Sequence, residues 1–241
     1  MENAEIIKIA ITIAVLIIAI VGHEIMHGLV AYKYGDHTAK DAGRLSINPI
    51  VHIDPIGTIV VPALLYISGS GFLFGWAKPV PISIQTVLSK GGYFAAMAVS
   101  LAGIFYNLVL ALVASIVFVN YFPMEVMNEI MASNPEASTL GVMHYIISKM
   151  VEQDPFLYFV GISLILNLLL AVFNILPIPA FDGAQFITYL SLQLGFEKIA
   201  KVYIKLAPYG MFIVLAIFMI GPLQKILIFE PLNWLMSQLL L

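Results

Sequence analysis

The sequence contains no cysteine and few charged residues. Charged residues make up 10% of the 241 residues, against about 25% in an ordinary soluble domain. The lack of cysteine excludes disulfide frameworks, iron–sulfur clusters, thiol nucleophiles and cysteine-ligated zinc. The scarcity of charge, together with a hydrophobic content of 61%, excludes a soluble globular enzyme and a disordered chain. These figures indicate an integral membrane protein.

The charge balance is slightly acidic. The chain has 11 Lys and Arg against 14 Asp and Glu, a net charge of −3, so we expect no nucleic-acid partner. The expected surroundings are the lipid bilayer of the cell membrane. The length allows one membrane-embedded domain over residues 1–241 and no large soluble domain besides; it leaves the oligomeric state open.

Long apolar runs predict an all-α polytopic membrane protein with about five to six membrane segments. Clean helices are expected at 6–34, 93–119 and 156–176, and an amphipathic stretch follows at 185–205. Residues 120–155 are expected to form an acidic linker. The apolar stretches 206–220 and 223–241, separated by Gly221-Pro222, are expected to form further helices, so 206–241 lies outside the core at about 6–190.

One apolar stretch differs from the others. Residues 56–74 contain the helix breakers Gly57, Pro62 and Gly69, which indicate either a re-entrant segment or a distorted span. Its two flanks both carry positive charge, and this favours re-entry over a crossing.

The distribution of basic residues predicts the orientation. Lysine and arginine collect before the helix at 93–119 and again after Asp182, whereas the linker holds a single lysine, Lys149. Because positive loops remain in the cytoplasm, we expect both the end of the first helix that contains His23 and the Asp182 region to lie toward the cytoplasm.

The first helix carries the pattern His23-Glu24-Ile25-Met26-His27. A spacing of four residues places both imidazoles on one face of a helix, where they can share a metal ion, and neutral imidazole suits zinc. Glu24 flanks that face and can take a proton from a water activated by the metal. Ionisable residues inside an apolar helix are costly and mark function by default.

A catalytic zinc site needs a third protein ligand. Asp182 is the best candidate, because it follows an apolar span and the break at Pro177 and Pro179, and broken helix within a membrane lines a cavity or is buried in protein. His52 and Asp54 are competitors. Asn174 is expected either to bond a neighbouring helix or to act as a donor to the substrate.

Two other asparagines, Asn107 and Asn167, also lie in apolar helices. We interpret them as polar groups that join packed helices.

These residues resemble the site-2 protease family of zinc intramembrane metalloproteases. The resemblance rests on the motif from His23 to His27, on Asn174 through Gly183, and on the shorter stretches 43–49, 52–57 and 75–81. It covers about residues 10–190 and is similar to a compact prokaryotic branch.

The resemblance implies one zinc ion per chain bound by His23, His27 and Asp182, with Glu24 as general base and Asn174 as a substrate-positioning or transition-state residue. It also implies a three-helix protease core with flanking helices, whose site is reached by water from the cytoplasm.

The expected reaction is hydrolysis of a peptide bond in or near the transmembrane helix of a single-pass membrane protein, as in regulated intramembrane proteolysis. An unwound substrate could pair with β-like segments at 44–62 and 72–82.

There are two departures from the family pattern. Residues 102–107 read Ala-Gly-Ile-Phe-Tyr-Asn, where relatives often have Pro after Ala-Gly, and the linker at 120–155 is too short for the PDZ domain that many relatives carry.

Three other functions are open to such a chain. A metal transporter would need a polar path through both leaflets, and a catalytically dead relative would be expected to lose its metal motif. A different membrane metallopeptidase would usually take its third ligand from a Glu on a later helix, but residues 156–196 contain no Glu.

Overall fold

Helices dominate the computed structural model, which describes residues 2–67, 75–150 and 153–240. No β-strand occurs in these ranges. Short 3-10 helices lie at Pro49–His52 and Ala207–Tyr209, and π-helical turns at Pro55–Val60 and Lys225–Phe229. The α-helices of the described residues are α1 (Glu2–Lys33), α2 (Thr38–Asp41), α3 (Val61–Ile67), α4 (Ile84–Tyr121), α5 (Met124–Ser133), α6 (Thr139–Met150), α7 (Pro155–Ile175), α8 (Asp182–Gln193), α9 (Glu197–Leu206), α10 (Gly210–Met219), α11 (Gly221–Gln224) and α12 (Glu230–Leu240).

Within the described residues, four helical stretches are long and apolar enough to cross a membrane: Ala4–Lys33, Ile84–Tyr121, Pro155–Ile175 and Glu197–Ile217. The chain is therefore a multi-pass membrane protein, and the all-α prediction is confirmed. The predicted five to six segments exceed these four. The predicted stretch 206–220 is largely part of the span Glu197–Ile217, and the helical residues 221–240 include the polar or charged residues Gln224, Lys225 and Glu230.

Glycines interrupt the helical backbone at two places. In α4, Gly92 has a φ of 62°, so the continuous helix begins at Tyr93, where the sequence predicts it. The amphipathic stretch 185–205 forms two helices, because Gly195 adopts a φ of 79° between α8 and α9. A positive φ is accessible to glycine at little steric cost.

The predicted linker at 120–155 and the apolar stretch at 56–74 both contain helices where the structure describes them. The predicted linker contains α5 and α6. Residues 55–67 form a π-helical turn followed by α3, and residues 68–74 lie outside the described residues. The β-like interpretation of residues 44–62 is wrong, because prolines at positions 49 and 55 begin helical turns there.

Helix α4 is the centre of the fold. It packs against α1, α7 and α8, and α1 also packs against α7. A buried apolar cluster fills the space between α4, α6, α7 and α12, with Phe118, Met143 and Leu168 almost fully enclosed. Outward-facing residues such as Ile13 and Phe105 are exposed and apolar, as a lipid-facing surface requires.

Candidate metal centre

The two histidines of α1 face the interior of the helix bundle. His23 and His27 are each 7% exposed, and their Nε2 atoms lie 3.1 Å apart. The predicted spacing of one helical turn therefore brings two metal-binding nitrogens to one point.

Asp182 reaches the same point from a distant part of the sequence. It is the first residue of α8, and its Oδ2 lies 3.1 Å from Nε2 of His23 and 3.2 Å from Nε2 of His27. The chain between α7 and α8 contains Pro177 and Pro179, which cannot continue a helix. A Cβ on Gly183 would lie 2.2 Å from the carbonyl oxygen of Ile175, so the tight turn that presents Asp182 needs glycine.

The three ligand atoms fit a zinc ion. Zinc lies about 2.0–2.1 Å from imidazole nitrogen and carboxylate oxygen in tetrahedral sites, and such ligands are then separated by about 3.3 Å. The separations here are 3.1, 3.1 and 3.2 Å. Three protein ligands leave the fourth position that a catalytic zinc site uses for water or substrate.

The outer nitrogens of both imidazoles have hydrogen-bond partners. Nδ1 of His23 lies 2.6 Å from Oδ1 of Asn107, and Nδ1 of His27 lies 2.7 Å from the carbonyl oxygen of Val99. A backbone carbonyl can only accept, so Nδ1 of His27 carries the proton and its Nε2 presents a lone pair to the ligand point. This arrangement of outer partners is typical of metal-ligating histidines.

Helix α4 makes room for His23. A Cβ on Gly103 would lie 2.5 Å from Cε1 and Nε2 of that imidazole. Asn107, one turn later on the same helix, bonds the other side of the ring. Gly103 and Asn107 together therefore define the slot that the ring occupies.

Glu24 lies beside the ligand group and is half-buried. Its Oε2 accepts a hydrogen bond of 2.8 Å from the backbone N–H of Val80. Val80 belongs to the segment 75–83, which forms neither helix nor strand and is held in place by further hydrogen bonds. Arg44 donates to the carbonyl of Lys78 at 2.6 Å, and Asp36 accepts from the N–H of Ser83 at 2.6 Å.

Asp36 is a buried loop carboxylate whose pKa is shifted. Burial acts to raise the pKa, but hydrogen bonds from the hydroxyl and N–H of Thr38 and from the N–H of Ser83 outweigh it. The pKa of Asp36 therefore lies below its ordinary value. This ionised carboxylate fastens the end of α1 to the segment that contacts Glu24.

The competing third ligands have other partners. His52 lies 2.9 Å from the carbonyl oxygen of Ser46, and Oδ1 of Asp54 accepts from the N–H groups of Ile56 and Gly57. Both side chains shape the loop after α2. Among the described residues, the metal-ligating groups that converge are His23, His27 and Asp182.

Asn174 is not joined to this group by the hydrogen bonds of the described residues. Its amide nitrogen donates to the carbonyl of Leu170 at 2.9 Å, within α7. It lies at the end of the helix that leads to Asp182.

Sequence reasoning missed three groups that contact the site. The N–H of Val80 and the carbonyl of Val99 belong to the backbone and have no signature in residue type. Asn107 was interpreted as a packing residue, and its position four residues after Gly103 is the signal that could have connected it to the site.

Two imidazoles and a carboxylate with a glutamate beside them, enclosed by membrane-length helices, are the groups that a catalytic zinc site of a membrane hydrolase requires. The family follows from comparison with known proteins: residues 11–220 match the model described as Peptidase family M50. The chain belongs to this family, the site-2 protease family of zinc metalloproteases.

Two relatives are similar to the chain. "Putative zinc metalloprotease YwhC" of Bacillus subtilis (strain 168) is 34% identical over 218 residues, covering 90% of this chain and 84% of the relative. "Putative zinc metalloprotease Rip2" of Mycolicibacterium smegmatis (strain ATCC 700084 / mc(2)155) is 33% identical over 89 residues, covering 37% of this chain and 32% of the relative. No solved structure matches the chain.

Proposed function

We propose that this chain cleaves membrane proteins within or beside their transmembrane helices, with His23, His27 and Asp182 as the zinc ligands and Glu24 as the general base. The observation that carries the proposal is the convergence of three ligand atoms, none more than 3.2 Å from another, on the inner face of a membrane-length helix. The family supplies the zinc and the peptidase class.

In the proposed hydrolysis, the zinc site and Glu24 have separate roles. A bound zinc ion would supply positive charge to polarise the scissile carbonyl and to lower the pKa of water. Glu24 takes a proton from the attacking water as the carbon–oxygen bond forms. It then delivers that proton to the amide nitrogen as the carbon–nitrogen bond breaks. The N–H of Val80 holds Oε2, so we assign the proton transfers to Oε1.

Asn174 is proposed to position the substrate. Its bond to Leu170 requires one of the two amide hydrogens, and the second hydrogen can serve a substrate carbonyl. Its location at the end of α7, just before the turn that leads to Asp182, supports this role.

The proposed substrate is a single-pass membrane protein, such as a membrane-tethered regulator. A helical peptide bond is protected by the helix's own hydrogen bonds, so the substrate must unwind before cleavage. The segment 75–83 is the proposed surface for the unwound chain. Its residues Trp76 and Lys78 bond through their N–H groups to the loop carbonyls of Gly57 and His52.

The proposed orientation places the site on the cytoplasmic side. The basic residues around the ends of α1 and α8 support it through the positive-inside rule. Cysteine accessibility tests it directly, because the wild type has no cysteine. In intact cells, a cysteine at exposed position 37 should resist a membrane-impermeant maleimide that labels one at position 136; labelling of position 37 would reverse the orientation.

The test of the function is metal content and cleavage on the purified full-length protein in detergent. One zinc per chain is expected in wild type and Glu24→Gln, with cleavage in wild type alone. Asp182→Asn should lose most of its zinc, whereas the loop variant Asp54→Asn should keep it. Retained zinc in Asp182→Asn with loss in Asp54→Asn would transfer the third ligand to Asp54.

A paired substrate separates membrane proteolysis from other peptidase activity. One peptide sequence is presented within a single transmembrane helix and, separately, as a soluble peptide. Faster cleavage of the membrane form by wild type supports the proposal. Cleavage by Glu24→Gln at the wild-type rate would overturn the mechanism, and preference for the soluble peptide would overturn the substrate class.

A further inference from the structure

We propose that Asn107 and Asn167 are positioning residues for zinc, acting together to fix the tautomer and the ring orientation of His23. The inference rests on the proposed role of His23 as a ligand. It assigns a function in the metal site to two side chains that contact neither zinc nor substrate, and one of them does not contact a ligand either.

The two asparagines form a continuous chain of hydrogen bonds across three helices. Oδ1 of Asn107 lies 2.6 Å from Nδ1 of His23. Its Nδ2 lies 2.9 Å from Oδ1 of Asn167 and 3.2 Å from the carbonyl oxygen of Ala19. Nδ2 of Asn167 lies 2.9 Å from the carbonyl oxygen of Ser163. The chain thus connects α1, α4 and α7.

The backbone carbonyl of Ser163 determines which group donates and which accepts in each of these hydrogen bonds. The carbonyl of Ser163 can only accept, so Asn167 must donate through Nδ2 and accept through Oδ1. Asn107 then donates to Asn167, and also to the carbonyl of Ala19, which leaves its Oδ1 to accept from His23. The proton of His23 therefore lies on Nδ1, and Nε2 presents its lone pair to the ligand point.

Burial makes this arrangement costly to break. Asn107 is fully enclosed and Asn167 is 1% exposed, so no bulk water replaces a lost partner. Removing the acceptor at position 107 would leave the Nδ1–H of His23 unpaired, which is destabilising in a low-dielectric interior. Asn107 also blocks the alternative in which Nδ1 turns its lone pair outward, because a carboxamide oxygen cannot donate.

The two histidines differ in the kind of group that bonds Nδ1. Nδ1 of His27 bonds the backbone carbonyl of Val99, which no side-chain substitution removes directly. Only His23 has an outer partner that is a side chain, and that side chain has its own support in Asn167. Substitution at positions 107 and 167 should therefore change zinc binding by way of His23.

Zinc affinity of the full-length protein in detergent tests the inference without any proteolysis. Competition with a chromophoric chelator measures the zinc Kd for wild type and for Asn107→Leu, Asn107→Asp and Asn167→Leu. Ser115→Ala is the matched control, because Ser115 is also buried on α4 but bonds the carbonyl of Leu239, away from the site. Apparent melting temperatures of the zinc-free proteins report on folding.

A positioning role for the two asparagines predicts a particular order of zinc affinities among the variants. Asn107→Leu should weaken zinc binding about 10- to 100-fold, the usual effect of losing such an outer partner. Asn107→Asp keeps an acceptor for Nδ1 and should bind zinc more tightly than Asn107→Leu, although it buries a charge and should melt at a lower temperature. Asn167→Leu should weaken binding by a smaller factor, and Ser115→Ala should bind as wild type does.

If Asn107 served only in packing, the zinc affinities of the two variants at this position would have the reverse order, because leucine suits an apolar core better than a carboxylate does. Wild-type zinc affinity in Asn107→Leu, or weaker affinity in Asn107→Asp than in Asn107→Leu, would overturn the inference. Failure of the proposed function gives a different result: zinc binds through His23 in the expected order, but wild type cleaves no membrane substrate.

Discussion

The backbone N–H of Val80 donates a 2.8 Å hydrogen bond to Oε2 of Glu24. Prolines occupy both neighbouring positions, 79 and 81, and proline has no N–H. Val80 therefore supplies the only backbone donor in this stretch of three residues. Proline at 81 also disfavours helical backbone at Val80, which helps to keep the segment non-helical beside Glu24.

Val80→Pro should lower the cleavage rate about tenfold or more without removing zinc. The substitution deletes the N–H, and a hydrogen bond to a charged group contributes about 1.5–3 kcal/mol. The measurement is kcat and KM on the membrane substrate, together with zinc content. Val80→Ala is the control, because it keeps the N–H and should retain most of the activity. Equal rates for the two variants would show that this bond does not position Glu24.

Gly183→Ala should weaken zinc binding about 10- to 100-fold. The added Cβ would lie 2.2 Å from the carbonyl oxygen of Ile175, and overpacking of this kind costs about 1–3 kcal/mol. The turn must shift, and Asp182 shifts with it. Chelator competition measures the change. Gly221→Ala is the control, because nothing lies within 4 Å of its added Cβ. Wild-type affinity in Gly183→Ala would mean that the turn adapts without moving Asp182.

Gly103→Ala should displace the imidazole of His23. A Cβ there would lie 2.5 Å from two ring atoms, so the ring or α4 must move. We expect weaker zinc binding and a lower cleavage rate, with helix content unchanged by circular dichroism. Alanine favours the helix slightly over glycine, so lost affinity would be a local effect. Ser100→Ala, a buried change one turn earlier on α4, should leave zinc affinity unchanged.

The stabilisation by Asp36 should depend on pH. The pKa of Asp36 is lowered in the folded protein, so its contribution is fully present above the ordinary value near pH 4 and is lost as the pH falls through the lowered pKa. Attraction to the neighbouring His37 also contributes to the lowered pKa of Asp36. The apparent melting temperature of wild type should exceed that of Asp36→Asn at pH 7.

The difference between these two proteins should shrink in acid. Thermal melts at intervals between pH 7 and pH 3 measure it, each variant being compared at the same pH. A constant difference across this range would show that the hydrogen-bonding shape of Asp36 matters but its charge does not.

The sequence predicts those parts of the molecule that depend on periodicity and on helix breakers. The spacing of His23 and His27 places them on one face, and the prolines before Asp182 predict a broken helix there; the structure brings all three side chains together. The core helices begin and end close to their predicted bounds, since long apolar runs between charged loops leave little choice of register.

Other parts depend on tertiary contacts that residue type does not encode. The partner of Glu24 is a backbone N–H more than fifty positions away, and the partner of His27 is a carbonyl on α4. Asn107 has the same residue type whether it joins two helices or orients a ligand, and only the position of His23 distinguishes the two roles. The amphipathic stretch at 185–205 forms two helices because the backbone turns at Gly195, and the amphipathic pattern does not reveal that turn.

The distance of the two histidines from the end of α1 sets the depth at which a substrate would be cut. Helices rise about 1.5 Å per residue, so the two histidines lie about 9–15 Å from Lys33, the charged end of the helix. The hydrocarbon core of a bilayer is about 30 Å thick, so with Lys33 at its boundary the site lies within one leaflet. A substrate helix entering from the side would present its scissile bond in the half of its span nearest that boundary, and its two products would carry unequal lengths of hydrophobic segment.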